Sequence, residues 1–478
     1  MLLWLLIVCM TVSPAFCRAD EFDVIDSRGV KATLSGRIHG TADNVLAIMQ
    51  EDGALMLVPS AAILKRRQKE EFQPVSCTEM KSRLEKKYTP ELSRWSVQDP
   101  YVVGLVLMGP LDKKGETQAN LFLTKAVRFM QSVDEVFMRF AKDMGIAAQN
   151  SEFPLVMLIF ESDAEFEAHA NEVTGGRGLS AGNVSGFYSL IDNTLSIRMT
   201  ECDTFEVPLH EAIHQQVYNR GVMKRFTPIP AWFNEGLATG FEGSGDKVST
   251  GPNALHTRYA LAAARTQQVS WRNLIESDEA ITGDILAGEA YALAWGLHWL
   301  VVTRHKDGYV KYLAKLRTRD PLSTVTPEQR VADFQEAFGV PVQSLEQEFV
   351  KLLRANERKI MQQGENRFPV GILMTSQSLG YVKLQAATRA DMGGLVHAKG
   401  ELRNVSPLRE MNFRVRVVTD AGTYAEWILP NVGSRKTVPL PGKLTDQLLP
   451  NARGGAGRTF TVKIDSTAAE VPAAGIRR

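Results

Sequence analysis

Leu209-His210-Glu211-Ala212-Ile213-His214-Gln215 holds the pattern His-Glu-x-x-His. On a helix, residues four apart lie one above the other on a single face. His210 and His214 can therefore aim two imidazoles at one metal ion. Glu211 falls one residue further round, where it can reach a water on that metal but is poorly placed to bind the metal itself. Zn2+ suits the arrangement, because it takes neutral nitrogen donors in tetrahedral geometry and keeps a fourth position for water. Zinc lowers the pKa of its water toward neutrality, and a neighbouring carboxylate can then take the proton.

Two histidines need a third protein ligand, and a carboxylate from the next helix is a standard supplier. Glu235 offers one, separated from His214 by twenty residues, within Pro230-Ala231-Trp232-Phe233-Asn234-Glu235-Gly236-Leu237-Ala238. Trp232, Phe233, Leu237 and Phe241 recur around it at helical spacing, which predicts a buried helix. A lone carboxylate there is costly unless it is paired or bound to metal.

His-Glu-x-x-His followed by Trp-Phe-Asn-Glu-Gly-Leu-Ala resembles the gluzincins, metallopeptidases whose third zinc ligand is a glutamate. Asn234-Glu235-Gly236 is similar to the segment found in zinc aminopeptidases of that clan. From about Tyr101 to Ala355 the chain resembles an uncharacterised family of secreted bacterial proteins with a peptidase-MA-like catalytic domain. The resemblance implies that His210, His214 and Glu235 bind Zn2+ and that Glu211 is the general base. In the aminopeptidase-like members a tyrosine from a later helix stabilises the oxyanion. Tyr291, 56 residues after Glu235 in Ala287-Gly288-Glu289-Ala290-Tyr291, stands near that separation, the alternative being a core tyrosine in an Ala-rich helix. His298 is the runner-up for this role. Asn234 and Glu242 are candidates to hydrogen-bond the ligands.

The elements that must position these residues follow from the pattern on either side. Upstream it alternates strand and helix: a buried strand at Tyr101–Leu107, a long helix at Ala119–Met144 and a second strand at Phe153–Phe160. A helix at Asp163–Val173 and a hairpin, Gly186–Ile191 with Thr194–Met199 around the turn Asp192-Asn193, complete that half. The hairpin directly precedes the metal helix, expected over Asp203–Asn219. Its edge is either a place for an extended peptide to pair or ordinary buried sheet. Downstream the pattern is helical, at Asn253–Arg265, Ala287–Thr303, Gly308–Arg317, Thr326–Phe338 and Val342–Asn356. This division matches the gluzincin plan of a mixed upper lobe and a helical lower lobe with zinc between them.

The 478 residues are too many for one ordinary core. The expected class is multidomain α+β. Residues 1–19 read as a signal peptide, with an uncleaved anchor as the alternative, and imply a secreted or periplasmic protein. Residues 20–67 read as a small SH3-like β-barrel and 68–100 as a polar connector holding an amphipathic helix. The resemblance implies a thermolysin-like mixed α/β plus helical catalytic domain over residues 101–362. Residues 363–465 read as a β-sandwich, with Phe413, Val415 and Val417 facing inward and Pro441-Gly442 as a turn, and 466–478 as a tail. A net charge of +1 gives no footprint for nucleic acid. Cys77 and Cys202 fit one disulfide or two buried thiols equally.

The expectation is a secreted zinc peptidase acting on a peptide or protein substrate. It has no membrane span in the mature chain, and the β modules offer faces for a surface partner. The alternatives are a non-catalytic binding protein with a structural metal clamp, and a zinc hydrolase of non-peptide amides or esters.

Overall fold

The computed structural model describes residues 19–25, 29–69, 71–175, 185–242, 248, 250–265, 270–282, 287–364, 372–389, 395–419, 422–444 and 461–469. Of the expected signal peptide, residues 1–18 lie outside this set, as do residues 470–478 of the expected tail. Among the described residues there are thirteen α-helices and four sheets, an α+β architecture in several parts. No described helix is long and apolar enough to cross a membrane.

The first sheet contains β1 (Ala19–Ile25), β2 (Lys31–Ala42), β3 (Val45–Met49), β4 (Leu55–Pro59) and β5 (Ile63–Lys69), in the order β4-β3-β2-β1-β5. The expected barrel is not closed, because β4 and β5 are the two free edges. The Leu55 N–H, at the start of β4, donates instead to Ile191 O further along the chain. The long β2 pairs with β1 through Lys31–Gly36 and with β3 through Arg37–Ala42, the second pairing carrying a bulge between Ile38 and Gly40. The first connector residues, Gln68 and Lys69, are the end of strand β5. Arg66 and Arg67 reach across to Asp20, Glu21 and Asp23 on β1.

The connector is likewise an integral part of the next layer. It supplies α1 (Cys77–Lys87) and β6 (Ser93–Gln98), which pairs antiparallel with β7 (Tyr101–Val106). The chain continues through α2 (Lys113–Met144), β8 (Leu155–Phe160), α3 (Asp163–Thr174), β9 (Gly186–Tyr188) and β10 (Thr194–Arg198). The sheet order is β6-β7-β8-β10-β9, with β7, β8 and β10 parallel and an antiparallel strand at each edge. Strand alternation divides its side chains between two cores. Val103, Leu105, Met157 and Ile159 pack toward α2, whereas Val102, Val106, Val156 and Leu158 join Met80 of α1 and Phe166 of α3. Both faces are covered, as a mainly parallel sheet requires.

The helical half holds α4 (Glu206–Asn219), α5 (Ala231–Phe241), α6 (Thr257–Arg265), α7 (Trp271–Glu276), α8 (Glu279–Thr282) and α9 (Ala287–Arg304). α10 (Lys306–Arg317), α11 (Pro327–Phe338), α12 (Val342–Ala355) and α13 (Glu357–Gly364) complete it. The last part is strands: β11 (Ile372–Gln377), β12 (Gly380–Arg389), β13 (Leu395–Asn404), β14 (Met411–Thr419), β15 (Gly422–Val432), β16 (Thr437–Leu444) and β17 (Thr461–Ala468). They form a four-stranded sheet, β11-β12-β13-β16, and a three-stranded one, β15-β14-β17. Phe413, Val415 and Val417 are buried, and Arg414 and Arg416 pair outward with Glu426 and Asp465. Two expectations fail here. Pro441-Gly442 lies inside β16, an edge strand that tolerates the missing N–H, and the start of the expected tail, Ser466–Ala468, is the end of β17.

These strands are fastened to the α/β layer. Arg409, between β13 and β14, donates Nε and Nη2 to the two Glu161 oxygens at 2.8 and 2.9 Å, and the Glu161 side chain is 0% exposed. Cys77 and Cys202 are free and buried, so there is no disulfide between them.

Candidate metal centre

α4 is set by its two ends and by one internal anchor. Phe205, just before it, has φ +58°, a left-handed conformation that costs a non-glycine residue roughly 1–2 kcal/mol. Its ring is 2% exposed and 4.8 Å from that of Phe129, so packing holds the strained corner in place. Along the helix, Gln215 Nε2 donates to Val156 O of β8 at 2.9 Å, fixing α4 against the sheet. α5 has no side-chain cap of its own, and the Ala231 N–H donates to Asp278 Oδ1 at 2.8 Å. α5 lies against α9 at Gly236, where a β-carbon would come within 2.5 Å of Ala294 O.

This packing brings the expected ligands together. The Nε2 atoms of His210 and His214 are 3.1 Å apart. Glu235 places Oε2 3.0 Å from His210 Nε2 and Oε1 3.6 Å from His214 Nε2. A tetrahedral zinc ion with bonds of about 2.0–2.1 Å holds its ligand atoms about 3.3 Å apart. The separations, two of them to different oxygens of Glu235, lie on either side of that spacing, and one ligand atom from each residue falls within 4.8 Å of the others, so the donor set fits such an ion. His210 Nδ1 is 2.7 Å from Glu242 Oε1, which fixes the proton on Nδ1 and turns the Nε2 lone pair toward the centre. His214 Nδ1 is buried and has no hydrogen-bond partner among the described residues. Asn234 Nδ2 donates to Glu235 Oε1 at 3.2 Å and so contacts the candidate carboxylate ligand rather than an imidazole.

The charge balance points the same way. Burial disfavours a cation at His210, but hydrogen bonds to Glu235 and Glu242 and the nearby Glu211 outweigh it and hold the imidazole pKa well above its usual value. Glu235 is buried too, yet His214 and His210 hold it well below the usual carboxylate range. Three carboxylates around two imidazoles thus favour a positive charge at their centre, supplied by a proton or by a metal ion.

Glu211 lies beside the cluster. Its Oε2 accepts the Tyr188 N–H of edge strand β9 at 2.9 Å. Burial raises its pKa, and His210 and His214 offset part of that rise. Tyr291 projects from α9 with its ring 6.3 Å from that of His210. Burial and the carboxylates of Glu235 and Glu211 raise its pKa. Ser185, Gly186, Glu206, His210, Glu211 and Tyr291 are among the residues lining an open cavity of about 430 Å³. His298 is excluded from that cleft. It is fully buried, bonded through Nε2 to the Tyr309 hydroxyl at 3.1 Å, and held near pKa 3 by burial. Cys202 is buried among apolar residues and is not among the clustered ligands.

Two contributors escaped sequence reasoning. Arg258 Nη2 and the Tyr259 hydroxyl both donate to Glu242 Oε2, at 2.9 and 2.8 Å. They orient the carboxylate that orients His210. They lie 16 and 17 residues beyond Glu242, on a helix whose docking no local pattern announces.

The fold and site define a class: an α+β protein in which two histidines of one helix and a glutamate of the next could hold a single metal ion. Residues 207–323 match the model of a family described as a protein of unknown function (DUF1570), a span that contains all the clustered residues and Tyr291. No curated protein matches the chain. Among solved structures, the variable (V) domain of the Streptococcus agalactiae AgI/II polypeptide BspA aligns at 21% identity. That alignment covers 24% of this chain and 83% of the other, with a TM-score of 0.13.

Proposed function

We propose that the protein is a zinc-dependent peptidase of the gluzincin type, with a thermolysin-like catalytic domain, secreted or periplasmic in location. The observation that carries this reading is the convergence of His210, His214 and Glu235 within 4.8 Å of one another, with Glu211 alongside in an open cleft. His210, His214 and Glu235 would hold the ion. A bound zinc would supply Lewis acidity and a water of lowered pKa.

The remaining chemistry belongs to the chain. Glu211 Oε2 is occupied by the Tyr188 N–H, and Oε1 accepts no hydrogen bond among the described residues. Oε1 is therefore the atom that takes the proton of the attacking water and passes it to the leaving amine. A raised pKa brings this carboxylate closer to working pH, which suits a general base that must also release its proton. The Tyr291 hydroxyl, kept protonated, donates to the oxyanion that develops on the substrate carbonyl. A structural clamp would have no use for Glu211, so an intact carboxylate there favours hydrolysis over the binding-protein alternative.

The test is Glu211→Gln. The variant is expected to keep about one zinc per chain and to lose hydrolysis of an unfolded protein substrate. Undiminished hydrolysis in that variant overturns the assignment of the base, and a wild type that binds zinc but cleaves nothing in a broad peptide library favours the clamp.

A further inference from the structure

Arg225 is 5% exposed and, among the described residues, has no carboxylate within ion-pair distance. An uncompensated buried charge is expensive, which raises the question of what holds it there. Its guanidinium spans two parts of the molecule. Nη1 donates to Leu190 O, in the turn between β9 and β10, at 3.0 Å. Nη2 donates to Gly53 O, in the turn between β3 and β4, at 2.5 Å, and lies 2.9 Å from Met49 Sδ. Beside it, the Leu55 N–H donates to Ile191 O at 2.6 Å, and His39 Nε2 is 2.8 Å from Arg225 O.

The other side of the same turn leads to the metal centre. Asn193 exchanges side-chain hydrogen bonds with Asn219, the last residue of α4, at 3.0 and 2.9 Å. The Tyr188 hydroxyl donates to Asn193 Oδ1 at 2.6 Å. Tyr188 is also the residue whose N–H holds Glu211. β9 has three residues and pairs with β10 alone, so its own ladder does little to fix the position of that N–H.

We propose that the N-terminal sheet is a brace for the catalytic cleft: through Arg225 and Leu55 it clamps the β9–β10 turn, and the clamped turn presents the Tyr188 N–H to Glu211. Arg225 is a positioning residue in this account. The catalytic part rests on the proposed role of Glu211 as base, but the mechanical part does not.

The experiment compares full-length, zinc-loaded wild type with Arg225→Met and Arg225→Lys. It measures amide hydrogen exchange across residues 186–193, zinc content, and kcat and KM on an unfolded protein. In Arg225→Met, exchange at the Tyr188 amide should rise at least about tenfold while exchange in β8 stays as in the wild type. With about one zinc per chain retained, kcat should fall roughly 10–100-fold with little change in KM, the effect of losing one hydrogen bond to a charged group. Arg225→Lys keeps a donor for one carbonyl and should fall between the two, and it carries the comparison if the methionine variant does not fold. Faster exchange in a protein whose wild type cleaves nothing supports the brace and sinks the peptidase reading alone. Unchanged exchange at Tyr188, or faster exchange with undiminished kcat, overturns the proposal.

Discussion

Replacing Gly236 by alanine sets helix propensity against the geometry of the metal centre. In an exposed helix interior the change gains roughly 1 kcal/mol. Here the new β-carbon would meet Ala294 O at 2.5 Å, His298 Cβ at 2.8 Å and Ala294 C at 3.0 Å. Two of these are backbone atoms of α9, which cannot swing aside as a flexible side chain does. Returning the closest contact to between 3.0 and 3.4 Å needs a retreat of 0.5–0.9 Å (3.0 − 2.5 and 3.4 − 2.5) between α5 and α9. Overpacking of this kind costs about 1–3 kcal/mol. Set against the propensity gain, it leaves a net loss of about 1 kcal/mol and a melting temperature lower by about 2–4 °C. Zinc affinity should respond more strongly. Glu235 precedes the glycine, and zinc–ligand distances tolerate errors of only about 0.2 Å, so the shift should weaken binding roughly 10–100-fold, as loss of a ligand's supporting hydrogen bond does. Titration of the metal-free protein against a chelator of known affinity measures the effect, and a thermal melt of the same sample gives the stability. Zinc binding as tight as wild type, with an unchanged melt, refutes the claim that α5–α9 packing places the third ligand.

Other outcomes follow from the same structure. Tyr291→Phe removes the proposed oxyanion donor, and kcat on a peptide substrate should drop about 100-fold with zinc affinity intact; unchanged kcat would return Tyr291 to the core. Arg409→Ala strands a fully buried Glu161 carboxylate whose other described contact is the Met108 N–H at 3.0 Å. It should cost about 3–5 kcal/mol in urea unfolding, and a loss below about 1 kcal/mol would contradict the picture of the strand-rich part as pinned. Burial holds His169 near pKa 4 and His298 near 3, both below the ordinary 6.5. The unfolded chain therefore binds protons first, so their contribution is complete above about pH 6.5 and shrinks as pH falls toward 4 and 3. By pH 5 the pair should have lost on the order of 4 kcal/mol. Carboxylates such as Glu161, raised chiefly by burial, work in the opposite direction. The measurement is accordingly the difference in pH dependence between wild type and the His169→Gln/His298→Gln double variant, and parallel curves would contradict it.

Much of the site was legible because its information is local. His210 and His214 are joined by one helical turn, and Glu235 sits in a helix whose apolar spacing is plain. Two of the parallel strands, β7 and β8, were legible as continuous apolar runs, and α2 as a single apolar stripe. Errors arose where partners lie far apart in sequence. The end of β5, Gln68 and Lys69, reads as connector because its partners on β1 lie more than forty residues earlier. β6 and α1 read as connector because β6 is an edge strand and α1 has a charged outer face. The expected closed barrel failed because the edge N–H of Leu55 is used by a turn in another part of the molecule. Arg258 and Tyr259 went unseen because their role appears only after α6 docks beside Glu242.

The central claim concerns which atoms surround one ion, and X-ray absorption at the zinc edge reads that directly. On zinc-loaded protein the account predicts nitrogen and oxygen neighbours at about 2.0–2.1 Å, with outer scattering from two imidazoles and no sulfur. Glu235→Ala should lose one oxygen neighbour or the ion itself. A sulfur neighbour at about 2.3 Å, or a spectrum unchanged by Glu235→Ala, would contradict it.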